Sequence, residues 1–130
     1  MDITAKLHYL RMSPRKVRLV ADVVRGRAVE SALAQLRFFD KRAADPILKL
    51  LKSALANAKN NFSKTEGLYI KTIVVDQGPT YERFRPRARG TAGPIHKKTS
   101  HVTIILDERA KGKNMDKGIT QRSRNKGTKI

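Results

Sequence analysis

Apolar residues recur along this chain at two different periods, and the change from one to the other divides it into elements. Ile3 to Leu10 mixes polar and apolar residues in the manner of a short strand. Ser13-Pro14 then marks a helix start. A serine hydroxyl at that point can accept from orphan backbone donors, and proline at the first helical position lacks a donor that would find no partner anyway. Val17, Val20, Ala21 and Val24 form one stripe at helical spacing, which predicts a helix over 14–25 closed by Gly26. Arg15, Arg18, Asp22 and Arg25 fall off that stripe. A second helix is predicted over 29–38 from Val29, Ala32, Leu33 and Leu36, and a third over 41–62 from Ile47, Leu51, Ala54, Leu55 and Ala58. Asp45-Pro46 leaves a choice within the third, which either starts there or is kinked there.

From Leu68 to Asp76 the period changes to two, and Ile73-Val74-Val75 has the β-branched richness of a strand; 102–106 reads the same way. Gly78-Pro79 predicts a bend, because Thr80 to Arg89 continues extended and Ile95 to His101 returns. The turn is expected at Gly90-Thr91-Ala92-Gly93-Pro94. Ten extended residues reach roughly 33 Å, whereas a compact domain of this length has a radius of gyration near 14 Å by the usual scaling, so the hairpin must project. One domain over 1–110 is expected, including the projecting hairpin 78–101. Residues 111–130, rich in Lys, Arg, Gly, Asn and Ser, are expected to form a flexible basic tail.

Charge sharpens this division. The 130 residues carry 29 Lys plus Arg against 11 Asp plus Glu, a net +18. Residues 11–27 hold six basic groups against Asp22, 78–101 hold six against Glu82, and 107–130 hold eight against three acids, so each stretch nets +5. The stretch 28–77 nets only +3. The middle reads as core and the flanking stretches as contact surface for a polyanion. At 39% hydrophobic the chain is too apolar to be wholly disordered, and with no cysteine it has no disulfide framework or thiolate site. No run approaches a membrane span, so a soluble, cytoplasmic protein without a membrane partner is expected.

Within 78–101, Arg83, Arg85, Arg87 and Arg89 occur at every second residue, a spacing that in an extended chain puts all four guanidinium groups on one face. Phe84, Pro86 and Ala88 line the other. Arginine forks match phosphate oxygens and stack on bases, and Lys97 and Lys98 add charge on the returning strand. A solvated edge strand charged against aggregation is the plainer reading of the same residues. Catalytic chemistry is not expected. His8, His96 and His101 lack metal-ligand spacing, Gly112-Lys113-Asn114 is no phosphate loop, and Asp40 and Asp45 suit helix capping. No cofactor or metal is expected.

Arg11-Met12-Ser13-Pro14-Arg15-Lys16-Val17-Arg18-Leu19-Val20-Ala21-Asp22 and Pro86-Arg87-Ala88-Arg89-Gly90 resemble the bacterial-type large-ribosomal-subunit protein family numbered twenty-two. Val75-Asp76-Gln77-Gly78-Pro79, Lys98-Thr99-Ser100-His101, and Lys52-Ser53-Ala54 with Ala56-Asn57-Ala58 match as well, over about residues 3–108. The resemblance implies an α+β fold, with three helices packed on a small three-stranded antiparallel sheet and a long β-hairpin reaching into large-subunit ribosomal RNA. It implies a structural, non-enzymatic protein, a monomer within the ribosome, whose hairpin lines the nascent-peptide exit tunnel beside the fourth large-subunit protein. Carried over, Arg83, Arg87, Arg89 and Gly90 match the hairpin motif and Arg11, Arg15, Lys16 and Arg18 the basic first helix, all as RNA contacts. Thr91, Ala92 and Gly93 become a small-residue tip facing the nascent polypeptide. Thr91 and Glu82 stand where many relatives are basic, and the tail beyond about Lys111 exceeds many members. The residues alone also fit a dimeric β-ribbon protein that wedges Pro94 into DNA, or a cationic chaperone or translation-control factor.

Overall fold

The computed structural model describes residues 2–62 and 66–108. In chain order these form β1 (Ile3–Leu10), α1 (Pro14–Val24), α2 (Val29–Phe38), α3 (Ala44–Phe62), β2 (Leu68–Gln77), β3 (Tyr81–Pro86), β4 (Ala92–Lys97) and β5 (Ser100–Glu108). The fold is α+β. β5 is the central strand of a three-stranded antiparallel sheet in the order β1-β5-β2, while β3 and β4 pair only with each other. The expected tail over 111–130 lies outside the described residues.

Alternation explains which sheet face is covered. In β5, Ser100, Val102, Ile104 and Leu106 are buried, and the intervening residues through Asp107 are only half-buried. Ile3 and Ala5 of β1 and Leu68, Ile70, Ile73 and Val75 of β2 complete the layer. Against it lie α3, on β1 and β5, and α1, on β2, with α2 packed on α3. The helical stripes supply the facing layer: Val17, Val20, Ala21 and Val24; Val29, Ala32 and Leu36; Ile47, Leu51, Ala54 and Ala58. Each fully buried Leu or Ile stabilises the fold by about 1.5–3 kcal/mol relative to exposure.

Element ends show how local chemistry was settled. α3 begins at Ala44, three residues later than the longer reading, so Pro46 falls in the first turn, where backbone donors have no helical partner, and it causes no break. Ser13 precedes α1 as expected, but its side chain makes no capping bond. Its carbonyl instead accepts from the Lys16 and Val17 amides at 3.1 and 3.3 Å. Gly26 adopts φ +74°, ends α1, and donates its amide to the Ile70 carbonyl at 3.1 Å. Ile70 returns a bond to the Arg27 carbonyl, so the α1–α2 connection is stitched to β2. On the sheet's surface Lys71 pairs with Asp2 at 2.7 Å and Asp107 at 3.1 Å, tying together the ends of all three strands. The hydrogen bond that Lys71 donates to Asp2, and after it the one to Asp107, hold its ammonium above the ordinary lysine range.

Candidate nucleic-acid interface

The hairpin stands clear of the core. From Tyr81 to Lys98 no residue is buried, and Phe84 is 75% exposed. Six residues in each strand pair in register, Tyr81 with Lys97 through Pro86 with Ala92, a ladder of about 20 Å at the usual rise per residue. Residues directly opposite share a face, so Arg83 with Ile95 and Arg85 with Gly93 form one side, Phe84 with Pro94 and Pro86 with Ala92 the other. Pro86 and Pro94 occupy positions of the same class two rungs apart, where a missing amide costs no ladder bond.

The turn comes earlier than its glycines and proline suggest. Arg89 and Gly90 take left-handed conformations, φ +60° and +67°, within a short 3₁₀ turn over Ala88–Gly90. The Arg87 amide donates to the Thr91 carbonyl at 2.8 Å, and the Thr91 hydroxyl donates to the Ala88 carbonyl at 2.9 Å. The expected turn over 90–94 is therefore corrected to 87–91, because two successive left-handed residues reverse the chain before Ala92. Pro94 lies inside β4, not at the tip, which removes the wedge that the DNA-binding reading required. Arg83 and Arg85 keep their common face. The Arg87 side chain lies over Gly93, where an added Cβ would meet its Nε at 2.8 Å, so it joins that face. Arg89 leaves it, since a left-handed residue breaks the alternation. Of the small residues, Thr91 closes the turn, Ala92 is on the apolar face and Gly93 sits under Arg87. Among the described residues no carboxylate pairs with these four arginines, and Arg83 donates only to the neighbouring Glu82 carbonyl.

A compact neck sets the angle at which the hairpin leaves the body. Thr99 and Ser100 are fully buried polar residues, and each is satisfied: Thr99 donates to the Pro79 carbonyl and Ser100 to the Met12 carbonyl, both at 2.6 Å. Gly78 donates to the Thr99 carbonyl, and a Cβ there would meet Thr99 Oγ1 at 2.5 Å. Only glycine leaves room here for the Thr99 hydroxyl and the His101 ring. The expected bend at Gly78-Pro79 is observed as a break between the two ladders. Arg11 lies over the Tyr81 ring, 5.2 Å from its centroid, bracing the hairpin base against the segment before α1. Beside the neck, Tyr9, at φ +57° in a bulge of β1, donates its amide to His101 Nδ1 at 3.1 Å. The His8 ring is 5.2 Å from that of His101. The sheet thus joins two histidines that are distant in sequence.

The basic residues of α1 divide by role. Arg15 and Lys16 are exposed, but Arg18 donates through Nε and Nη2 to the Val75 carbonyl, and Arg25 to the Ile73 carbonyl. Both cover the free edge of β2, so Arg18 has a structural partner that its position in a basic helix did not reveal. Arg11, Lys16, Lys97 and Lys98 converge on one groove at the hairpin base. That groove also recruits Phe39, Lys41 and Arg42 from the α2–α3 connection, none of which stands out in the sequence. The pairing of Thr99 and Ser100 with backbone carbonyls across the neck was equally hidden. Among the described residues no group of three or more His, Cys, Asp or Glu could hold a metal, and no helix is long and apolar enough to cross a membrane.

This body and arm define a class of protein: a small α+β domain that extends an unneutralised cationic ribbon beyond its own core. The sequence profile described as ribosomal protein L22p/L17e matches residues 5–107. The chain is 57% identical over 111 residues to the large ribosomal subunit protein uL22 of Mesoplasma florum, covering 84% of this chain and 99% of that one. Against the uL22 of Mycoplasma capricolum the figures are 55% over 109 residues, with 83% and 98% covered. Against that of Myxococcus xanthus they are 53% over 114, with 85% and 100% covered. The chain belongs to the L22p/L17e ribosomal protein family and is a structural constituent of the large ribosomal subunit.

Proposed function

We propose that this chain binds and organises large-subunit ribosomal RNA, using the arginine face of its hairpin and the basic start of α1, and that the hairpin's other face lines the passage of the nascent peptide. The role is structural and non-enzymatic, exercised as a monomer in the cytoplasmic ribosome, with neighbouring ribosomal proteins, the fourth among them, as further partners. The observation that carries this reading is a ribbon with no buried residue and, among the described residues, no carboxylate partner for its arginines. Uncompensated like charges on one narrow face repel unless phosphates lie between them, and a ribbon enters folded RNA where a helix is too wide. Beyond the Glu82–His96 pair at its base, Ala92, Pro94, Pro86 and Phe84 give the opposite face an uncharged outer stretch past which a polypeptide can slide.

Photocrosslinkers placed at Arg85 and at Ala92 in assembled ribosomes test both faces. Arg85 should capture RNA and Ala92 the nascent peptide. Capture of RNA alone at Ala92 would remove the tunnel role, and no RNA at Arg85 would remove the binding role. The isolated chain should lose affinity for its RNA with a log-log salt slope steeper than about −3, since each neutralised phosphate contributes roughly 0.7–0.9.

A further inference from the structure

The groove at the hairpin base differs from both faces of the arm. It has about 850 Å³ of open space, within the usual range of about 300–1,000 Å³ for ligand clefts. Three separate parts of the chain bring cations to it: Arg11 and Lys16 from the segment before α1 and its first turn, Lys41 and Arg42 from the α2–α3 connection, and Lys97 and Lys98 from the hairpin base. Among the described residues no acidic one lines it. Its apolar lining is Met12, Leu19 and Phe39, with the almost wholly buried Val20 behind them. Leu19 is 65% exposed on α1, although the same helix buries four smaller aliphatic side chains completely.

We propose that this groove seats an unpaired RNA nucleotide, its base on Leu19 and Phe39 and its flanking phosphates on the cationic rims. A duplex would present phosphates to the rims but leave the apolar floor wet, because its bases are stacked inside. An unstacked base covers that floor, and aromatic platforms between cations are how single-stranded RNA is held. The groove is continuous with the arm through Lys97 and Lys98, so the inference rests on the RNA-binding reading above and adds what kind of RNA meets the body.

The sequence contains no tryptophan, so Leu19→Trp in the full chain places a single indole on the groove floor. Octaadenylate should quench it. Lys41→Glu with Arg42→Glu in the same background should weaken that titration about tenfold or more at low salt, with the thermal transition unchanged. An indole that stays silent while octaadenylate is retained on a filter overturns the proposal. Equal quenching by a 16-base-pair RNA duplex does so too, as does quenching by octaglutamate in place of the oligonucleotide. Filter retention of large-subunit RNA, measured alongside with Arg83→Glu plus Arg85→Glu, separates the two readings. Unchanged retention in that pair counts against the arm alone, whereas a silent indole on retained RNA counts against the groove alone.

Discussion

The central sheet and the hairpin use the same backbone pairing and are held in register by different forces. In the sheet, one face of β5 is buried under the helices, so a slip of one residue would turn Val102, Ile104 and Leu106 out to water. In the hairpin nothing is buried, and such a slip would forfeit no core. Its register comes instead from the left-handed pair at Arg89 and Gly90, the Thr91 to Ala88 bond at the tip, and the neck at Gly78 and Thr99. A two-stranded ribbon is marginal on its own in water. The body therefore stabilises itself, while the arm borrows its order from both ends and leaves its faces free for a partner.

If that division is right, Leu51→Ala should have the largest effect, destabilising the chain by about 2–5 kcal/mol. Phe84→Ala should stay within about 0.5 kcal/mol, because an exposed side chain leaves no cavity. Urea denaturation of the two variants checks the contrast, and similar losses would show that the arm packs as part of the core.

The neck should give the next largest effect. Thr99→Val removes the donor to the Pro79 carbonyl at a fully buried site and should cost about 1–3 kcal/mol. Gly78→Ala forces a Cβ against Thr99 and should cost about 1–3 kcal/mol as well. Faster hydrogen exchange confined to the hairpin amides in either variant would confirm that the neck orders the arm.

Replacing Phe84 to Ile95 with a short turn should change stability by no more than about 1 kcal/mol, since loop length enters only logarithmically, about 0.6 kcal/mol per doubling. Differential scanning calorimetry should still show one cooperative transition. Loss of that transition would break the comparison.

The smallest effect is expected on the sheet's exposed surface. The raised Lys71 pKa means that its pairs with Asp2 and Asp107 contribute below the ordinary lysine range and are lost only as pH rises through the higher folded value. Lys71→Met should lower the melting temperature slightly at neutral pH and low salt, and the difference should shrink in 1 M salt because Lys71 and Asp2 are exposed. A difference that salt leaves unchanged would point to lost packing by the lysine stem.

Local chemistry determined most of what could be read directly from the chain. The stripes of α1, α2 and α3 and the alternation of β5 are repeating patterns whose period survives any packing, and the excess of Lys and Arg over 78–101 is a property of composition. The place of the turn was not determined in this way. Gly90, Gly93 and Pro94 are turn residues by type, yet the reversal was settled by Arg89 accepting a left-handed conformation and by prolines fitting the outward sites of the ladder. Arg18 and Arg25 fall off the buried stripe of α1, and Arg18 reads as an RNA contact, but the order β1-β5-β2 left β2 as an edge whose carbonyls needed donors. The groove at the hairpin base joins residues from 11 to 98, which only the packing of α1 and the α2–α3 connection beside the neck brings together. Tertiary structure decided these because each depends on which backbone groups remain unpaired after the core has formed, and no local pattern of side chains records that remainder.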